Sequence, residues 1–186
     1  MDEKELIAGC KRRDSLSQRL LYTAYAPKML SVCNRYVNDI DTAKDVLQDG
    51  FVKVFTKIDT YSGEGAFAGW VRRIFITTSL EYLRQNNALR FSISADDYEN
   101  IEDEFNTSVL SQLTVDDLLA CIAKLPSGYR TVFNLYAIEG YSHSEIANML
   151  NIKESSSQSQ LVRARRILQE NVKSIIGYDY AKQGNL

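Results

Sequence analysis

The stretch from Ser142 to Gln169, SHSEIANMLNIKESSSQSQLVRARRILQ, admits few folds. Its apolar residues recur at helical spacing, and polar punctuation divides it in two. Ser142, with Glu145 three residues later, has the form of a capping box. Ile146, Met149 and Leu150 then share one face. Asn tolerates the left-handed region, so Asn151-Ile152 ends that helix. Ser155 with Gln158 opens a second helix by the same capping logic, and Leu161, Ala164, Ile167 and Leu168 are its buried stripe. At about 100° per residue the opposite side carries Ser155, Ser156, Ser159, Arg163 and Arg166, flanked by Gln158 and Gln160. Short hydroxyls and amides followed a turn later by arginines suit a major groove. Ser and Gln reach base edges there, and Arg takes phosphate or guanine. The arrangement is a helix-turn-helix with its second helix as reader. An ordinary surface hairpin of helices carries the same residue types, so this stretch alone leaves both readings open.

Helical spacing extends to nearly all of the 186 residues, which include only two prolines and no run of β alternation. The chain therefore reads as all-α. A short helix is expected over 2–13, with Leu6 and Ile7 inward, and one or two helices over 15–37. There Leu16, Leu20, Leu21, Tyr25, Leu30 and Tyr36 are candidate core, and Pro27 marks a break or a first turn. Asp41 is a fair N-cap for the next helix, TAKDVLQDGFVKVFTKI, which buries Ala43, Val46, Leu47, Phe51, Val54, Phe55 and Ile58. Asp45, Gln48, Asp49 and Lys53 fall on its other side. Gly63 and Gly65 interrupt the pattern, and a long helix follows from residue 66 to residue 85. Phe67, Trp70, Val71, Ile74, Phe75 and Leu83 are its apolar side, and Arg72, Arg73 and Arg84 its cations. Aromatics interleaved with arginine beside a glycine loop suit single-stranded nucleic acid, on whose bases they stack. Plain core packing is the competing reading, preferred for Phe75 and evenly balanced for Trp70.

The net charge of −2 argues against a nucleic-acid partner until its distribution is followed. Residues 1–90 carry 14 Lys/Arg against 11 Asp/Glu, residues 91–117 none against 8, and residues 118–186 carry 8 against 5. Two mildly basic lobes flank an acidic strap, and DNA responds to the local face rather than the sum. The strap, with weak periodicity and no basic residue, reads as a flexible linker over 91–115. The organisation is thus a lobe over 1–90, the linker, a second lobe over 116–176 holding the helix-turn-helix, and a tail over 177–186 that frays. In the second lobe, DDLLACIAKL is a helix stopped by Pro126. Ser127 caps the next, which buries Val132, Phe133, Tyr136 and Ile138 and ends at Gly140.

The three cysteines are widely spaced among apolar neighbours and read as buried thiols. His143, the only histidine, has no second ligand at metal spacing and reads as a surface residue, so no metal and no cofactor are expected. No apolar run approaches the ~20 residues of a membrane helix, and the acidic N-terminus lacks the form of a signal peptide, which points to the cytoplasm. No catalytic constellation is present, so an enzyme is not expected.

Taken together, these stretches resemble the bacterial RNA polymerase sigma factors of the extracytoplasmic-function group, within the sigma-70 family. AKDVLQDGFVKVF resembles the polymerase-binding helix, and YSGEGAFAGWVRRIFITTSLEYLR the loop and helix that melt and read the −10 element. The acidic strap stands where the family threads a connector. LPSGYRTVFNLYAIEGYSHSEIANMLNI and ESSSQSQLVRARRIL resemble the −35 lobe and its reading helix. The resemblance spans about residues 15–172 and implies the following roles. Asp45, Gln48, Asp49 and Phe51 grip the clamp coiled coil of the largest subunit of core RNA polymerase. Tyr61, Ser62, Gly63, Glu64 and Gly65 capture a flipped −10 base, and Trp70, Arg72, Arg73 and Arg84 line the melted strand. Ser155, Ser156, Gln158, Ser159, Gln160, Arg163 and Arg166 face the −35 element of promoter DNA. Positions 158 and 160, often basic in the family, are Gln here, which favours adenine where Arg favours guanine. Control by an anti-sigma factor is a family expectation. The competing assignment is a stand-alone helix-turn-helix regulator with an N-terminal sensor or dimerisation lobe. It leaves the acid-amide helix and the aromatic–arginine stretch without a role.

Overall fold

A computed structural model describes residues 2–86 and 113–183, with side chains through residue 175. The chain divides into two units, Met1–Ala88 and Leu89–Leu186, and every regular element among the described residues is a helix. Residues 91–112 of the proposed linker lie outside the described residues.

The first unit contains α1 (Glu3–Lys11), α2 (Ser15–Val37), α3 (Ile40–Lys57), a 3-10 turn (Ile58–Thr60) and α4 (Phe67–Gln85). Aspartates start the first three helices. Asp2, Asp14 and Asp39 accept from the backbone N–H of Glu3, Ser17 and Thr42. The α3 cap is therefore Asp39 rather than Asp41, which falls in the first turn and pairs with Lys44 at 2.8 Å. The left-handed Asn38 (φ 58°) redirects the chain between α2 and α3. Bonds from the Ser17 hydroxyl and backbone hold Asp14 below its ordinary pKa, and those from Thr42 do the same for Asp39.

α2 runs unbroken through Pro27 for 23 residues. Proline removes the N–H that would bond the Thr23 carbonyl, a loss of roughly 3 kcal/mol in a helix interior. Thr23 and Pro27 both face solvent, and α2 packs against both α3 and α4, which holds the helix together across the defect. Leu21, Val32, Tyr36, Val46, Phe51, Val71 and Phe75 fill the centre of this three-helix core. Leu16 and Leu20, expected inside, are 58% and 40% exposed, since they lie about 140° and 100° around α2 from the buried Leu21. Cys10 and Cys33 are buried free thiols, and burial pushes Cys33 up to about 11.

The second unit contains α5 (Val115–Ala123), α6 (Ser127–Phe133), a π-helical turn (Asn134–Ile138), α7 (His143–Leu150) and α8 (Glu154–Gln183). Thr114 and Asp117 form a capping box at the start of α5, so residues 114–115 belong to this unit and not to the tether. Pro126, not Ser127, occupies the α6 N-cap. The buried Arg130 donates from Nη1 to the carbonyls of Leu125 (2.8 Å) and Ala123 (3.2 Å), tying down the end of α5. The π turn inserts an extra residue and shifts the register. Leu135 is consequently the buried side chain, while Phe133, Tyr136 and Ile138 are half-buried. Gly140 takes the expected left-handed conformation (φ 79°), and Tyr141 N–H closes the end on the Leu135 carbonyl at 3.0 Å. α8 packs against α5, α6 and α7 through Leu161, Ala164 and Val172. Ile167 and Leu168 are only half-buried. The helix continues to Gln183, past the expected end near residue 176. Residues 184–186 lie outside the described residues.

Candidate nucleic-acid interface

The helix-turn-helix forms as its sequence dictates. Ser142 and Glu145 satisfy each other's backbone in a capping box. Asn151 turns the chain at φ 54°, and Ile152 N–H bonds the Ala147 carbonyl at 3.0 Å. α8 begins one residue earlier than expected, at Glu154, so Ser155 lies inside the first turn. Its solvent side holds Ser155, Gln158 and Arg166 exposed, with Ser156, Ser159 and Arg163 half-buried along its margins. Gln160 does not belong to this surface. It is 2% exposed, with no partner for its Oε1, about 140° around the helix from Ser155. Gln160 instead shares the buried side of α8 with Ser157, Leu161 and Ala164, against its expected place on the DNA face. Two residues the sequence reading passed over do lie on or beside the outer face. Val162 is half-buried between Ser159 and Arg166, and Arg165 is exposed with its guanidinium 5.9 Å from the Tyr136 ring centre. An apolar residue amid a polar stripe was the available signal for Val162.

His143, read as a surface residue, is half-buried and engaged. Its ring stacks on Tyr136 (4.5 Å, 21°), and Nδ1 lies 2.9 Å from Ser157 Oγ, joining α7 to α8. Burial lowers its pKa from 6.5; Glu154 opposes the shift, and Arg165 adds to it. The unfolded chain therefore binds this proton more readily than the folded one. The stabilisation is complete above the unfolded pKa and is lost as pH falls below about 6.5 through the folded value. Urea unfolding of the full chain between about pH 7.5 and 5.5 should show stability declining toward the acid end, with a shallower slope for His143→Gln. Equal slopes for the two proteins would refute this coupling.

In the first unit the glycine loop projects from a packed aromatic base. Ser62, Gly63, Glu64 and Gly65 are exposed, with φ 87° at Gly63 and 72° at Gly65. Tyr61 is buried, contrary to its expected place in a base-capturing loop. Its hydroxyl donates to the Gly65 carbonyl at 2.7 Å, and its ring meets Phe67 (5.1 Å) and Trp70 (5.7 Å). Trp70 stacks on Phe67 (5.6 Å, 20°) and stays half-buried, so one residue serves core and surface. Trp70, Arg73 and Arg84 lie within about 60° of one another on the outer side of α4. Arg72 lies about 160° from Trp70, half-buried and already engaged, and leaves that group. Phe75 is fully buried core.

On α3 the acid-amide stripe is exposed at Asp45, Gln48 and Asp49, and Gln48 Nε2 donates to Tyr22 Oη at 3.3 Å. Phe51 is not part of it. It is 3% exposed, packed on Tyr22 (4.5 Å) and Phe75 (5.1 Å), about 120° from Asp45. The apolar member of the stripe is Val52, 65% exposed. Lys53 turns aside to pair with Glu81 of α4.

Among the described residues no helix is long and apolar enough to cross a membrane. No group of three or more His, Cys, Asp or Glu is placed to hold a metal ion there.

These features define a two-unit helical protein with a helix-turn-helix in the second unit. Residues 21–89 match the family model for sigma-70 region 2, and residues 116–168 match that for sigma-70, region 4. The chain is 26% identical to the ECF RNA polymerase sigma-E factor of Haemophilus influenzae over 190 residues, covering 95% of this chain and 98% of that one. It is also 26% identical to the RNA polymerase sigma-H factor of Pseudomonas aeruginosa, covering 94% and 95%. Among solved structures, the fold matches the sigma factor RpoE in complex with the anti-sigma factor NepR from Bartonella quintana. That match has a TM-score of 0.52 and 18% identity, covering 83% of this chain and 96% of that one. It also matches CnrH in complex with the cytosolic domain of CnrY, at TM-score 0.51 and 19% identity, covering 92% and 97%. The chain belongs to the sigma-70 family of bacterial RNA polymerase sigma factors, in its extracytoplasmic-function group. As such it is a non-enzymatic factor of transcription initiation. The region 2 match gives the first unit a role that a sensor or dimerisation lobe would not have.

Proposed function

We propose that α3 docks this sigma factor on the clamp coiled coil of core RNA polymerase through Asp45, Gln48, Asp49 and Val52. The 62–65 loop then receives an unstacked −10 base, Trp70, Arg73 and Arg84 follow the melted strand, and the outer side of α8 reads the −35 element. The observation that carries this reading is the separation of faces on each helix. The matched regions expose their acid-amide, aromatic–arginine and serine–glutamine stripes and bury the other side of the same helices. An acidic stripe against a basic coiled coil speeds encounter and sets orientation. Neither unit neutralises many phosphates, so DNA affinity alone is weak. Attachment to one polymerase makes the second promoter contact intramolecular. The factor acts in the cytoplasm under an anti-sigma partner, a reading supported by two structural neighbours solved with such partners or a partner's cytosolic domain.

Run-off transcription with core polymerase on a promoter library tests the whole reading. Initiation from a defined pair of elements is expected, and free protein should bind promoter duplex poorly. Initiation from no promoter with a competent core enzyme sinks the proposal. Within the −35 contact, the exposed Gln158 favours adenine and Val162 offers apolar contact to a thymine methyl. Gln158→Arg should move the selected base toward guanine in a holoenzyme selection, with about tenfold discrimination or more. An unchanged consensus would remove Gln158 from the reading face.

A further inference from the structure

Three long-range bonds from the start of the chain converge just before the glycine loop. Lys11, the last residue of α1, donates from Nζ to the Tyr61 carbonyl at 3.0 Å, across 50 positions of sequence. Arg13, in the turn between α1 and α2, donates to the Phe55 carbonyl and pairs with Asp59 at 3.1 Å. Tyr61 is thereby fixed at its main chain from one side, while its hydroxyl closes on Gly65 from the other. The exposed tip, Ser62 to Gly65, hangs from a base held by α1.

Arg13 occupies φ 63°, a region that glycine adopts freely and a β-carbon resists. A side chain kept there at a conformational cost has its bond to the Phe55 carbonyl and its pairing with Asp59 to set against that cost. The Arg13–Asp59 pair is more than half exposed, so its Coulomb energy is small and its bearing is on geometry.

We infer that α1 is the positioning element of the base-capturing loop, with Lys11 and Arg13 as positioning residues that set −10 base discrimination without touching DNA. The inference rests on the reading of 62–65 as that loop. Its physical basis is preorganisation. Unstacking a base costs a few kcal/mol, and a loop already ordered spends none of its binding energy on ordering itself.

The test uses holoenzyme assembled from the full chain and core polymerase, binding single-stranded −10 oligonucleotides that differ at one base. Lys11→Met should lower discrimination about tenfold, equivalent to about 1.4 kcal/mol, while core affinity and melting temperature stay near the parent's. Lys11→Arg should recover most of the loss. Arg13→Gly should leave the melting temperature level or raised, since the strain is relieved, and still lower discrimination. Unchanged discrimination in both Lys11→Met and Arg13→Gly overturns the inference. So does a loss that tracks melting temperature and is not rescued by arginine at position 11. A parent holoenzyme with no −10 base preference, equally insensitive to Glu64→Ala, removes the loop reading itself.

Discussion

Reversing two charges on α3, Asp45→Lys with Asp49→Lys, should weaken binding to core polymerase by at least about a hundredfold, or about 3 kcal/mol. Both carboxylates are exposed on the outer side of α3. They stand one helical turn apart, with Gln48 and Val52 between and below them. Against the basic coiled coil proposed as its partner, the reversal would replace attraction with like-charge juxtaposition, which costs several kcal/mol at an interface. The fold should not notice. Surface substitutions away from caps and buried networks usually change stability by no more than about 0.5 kcal/mol, so the melting temperature should hold. The mechanism also requires a salt signature. Parent association with core should slow as ionic strength rises, and the variant's should not, because screening acts on the steering field. Competition against labelled parent for core polymerase, with transcription in parallel, reads both quantities. If the double variant competes within twofold of the parent, the acid-amide stripe is a solvated face and the polymerase contact lies elsewhere.

Much of this surface was legible in the sequence because helical periodicity separates faces by chemistry. The Asp45, Gln48 and Asp49 stripe, the capping box at Ser142 and Glu145, the left-handed Asn151 and Gly140, and the extent of α4 all follow from local rules. Those rules act within one or two turns and need no knowledge of the partner helix.

Sequence and structure part where a neighbouring helix or turn decides the orientation. Gln160 looked polar and therefore external, yet its position on α8 turns it inward with Ser157 and Ala164. Ser157 is itself buried because His143 offers it a bond at 2.9 Å across the turn, a contact 14 residues distant. The resemblance implies outward contacts for Phe51 and Tyr61, whereas Tyr22, Phe75, Phe67 and Trp70 give them partners within the molecule, as helical spacing alone expects for Phe51. Leu135 was passed over for Tyr136 because the π turn that displaces the register has no local sequence signal. Val52 was overlooked because an apolar residue is by default counted inside.

Gly50 shows the same dependence on a neighbour with a larger consequence, since Gly50→Ala should destabilise the first unit by about 2–3 kcal/mol. By local rules the change is favourable: Ala exceeds Gly in a helix interior by about 1 kcal/mol. Packing reverses the sign. A β-carbon at position 50 would stand 2.2 Å from Cε1 and 2.4 Å from Cδ1 of Phe75. Those atoms belong to a fully buried ring that Phe51 abuts at 5.1 Å, so no flexible end is free to swing aside. Either α3 and α4 separate or Phe75 leaves its rotamer, and overpacked cores lose about 1–3 kcal/mol by such routes. Trp70 is the only tryptophan and lies in this unit, so its fluorescence isolates the transition. At about 4–8 °C per kcal/mol for a unit this size, the midpoint should fall by roughly 8–24 °C. Adding Phe75→Leu should return part of the loss, because the two positions share one volume and their effects are not additive. Asp49 and Phe51 flank Gly50, so the displacement would also move the stripe proposed to face polymerase, and on that proposal core affinity should fall in the alanine variant and recover partly in the double. A midpoint at or above the parent's would mean that α3 and α4 do not approach as closely as Gly50 and Phe75 require.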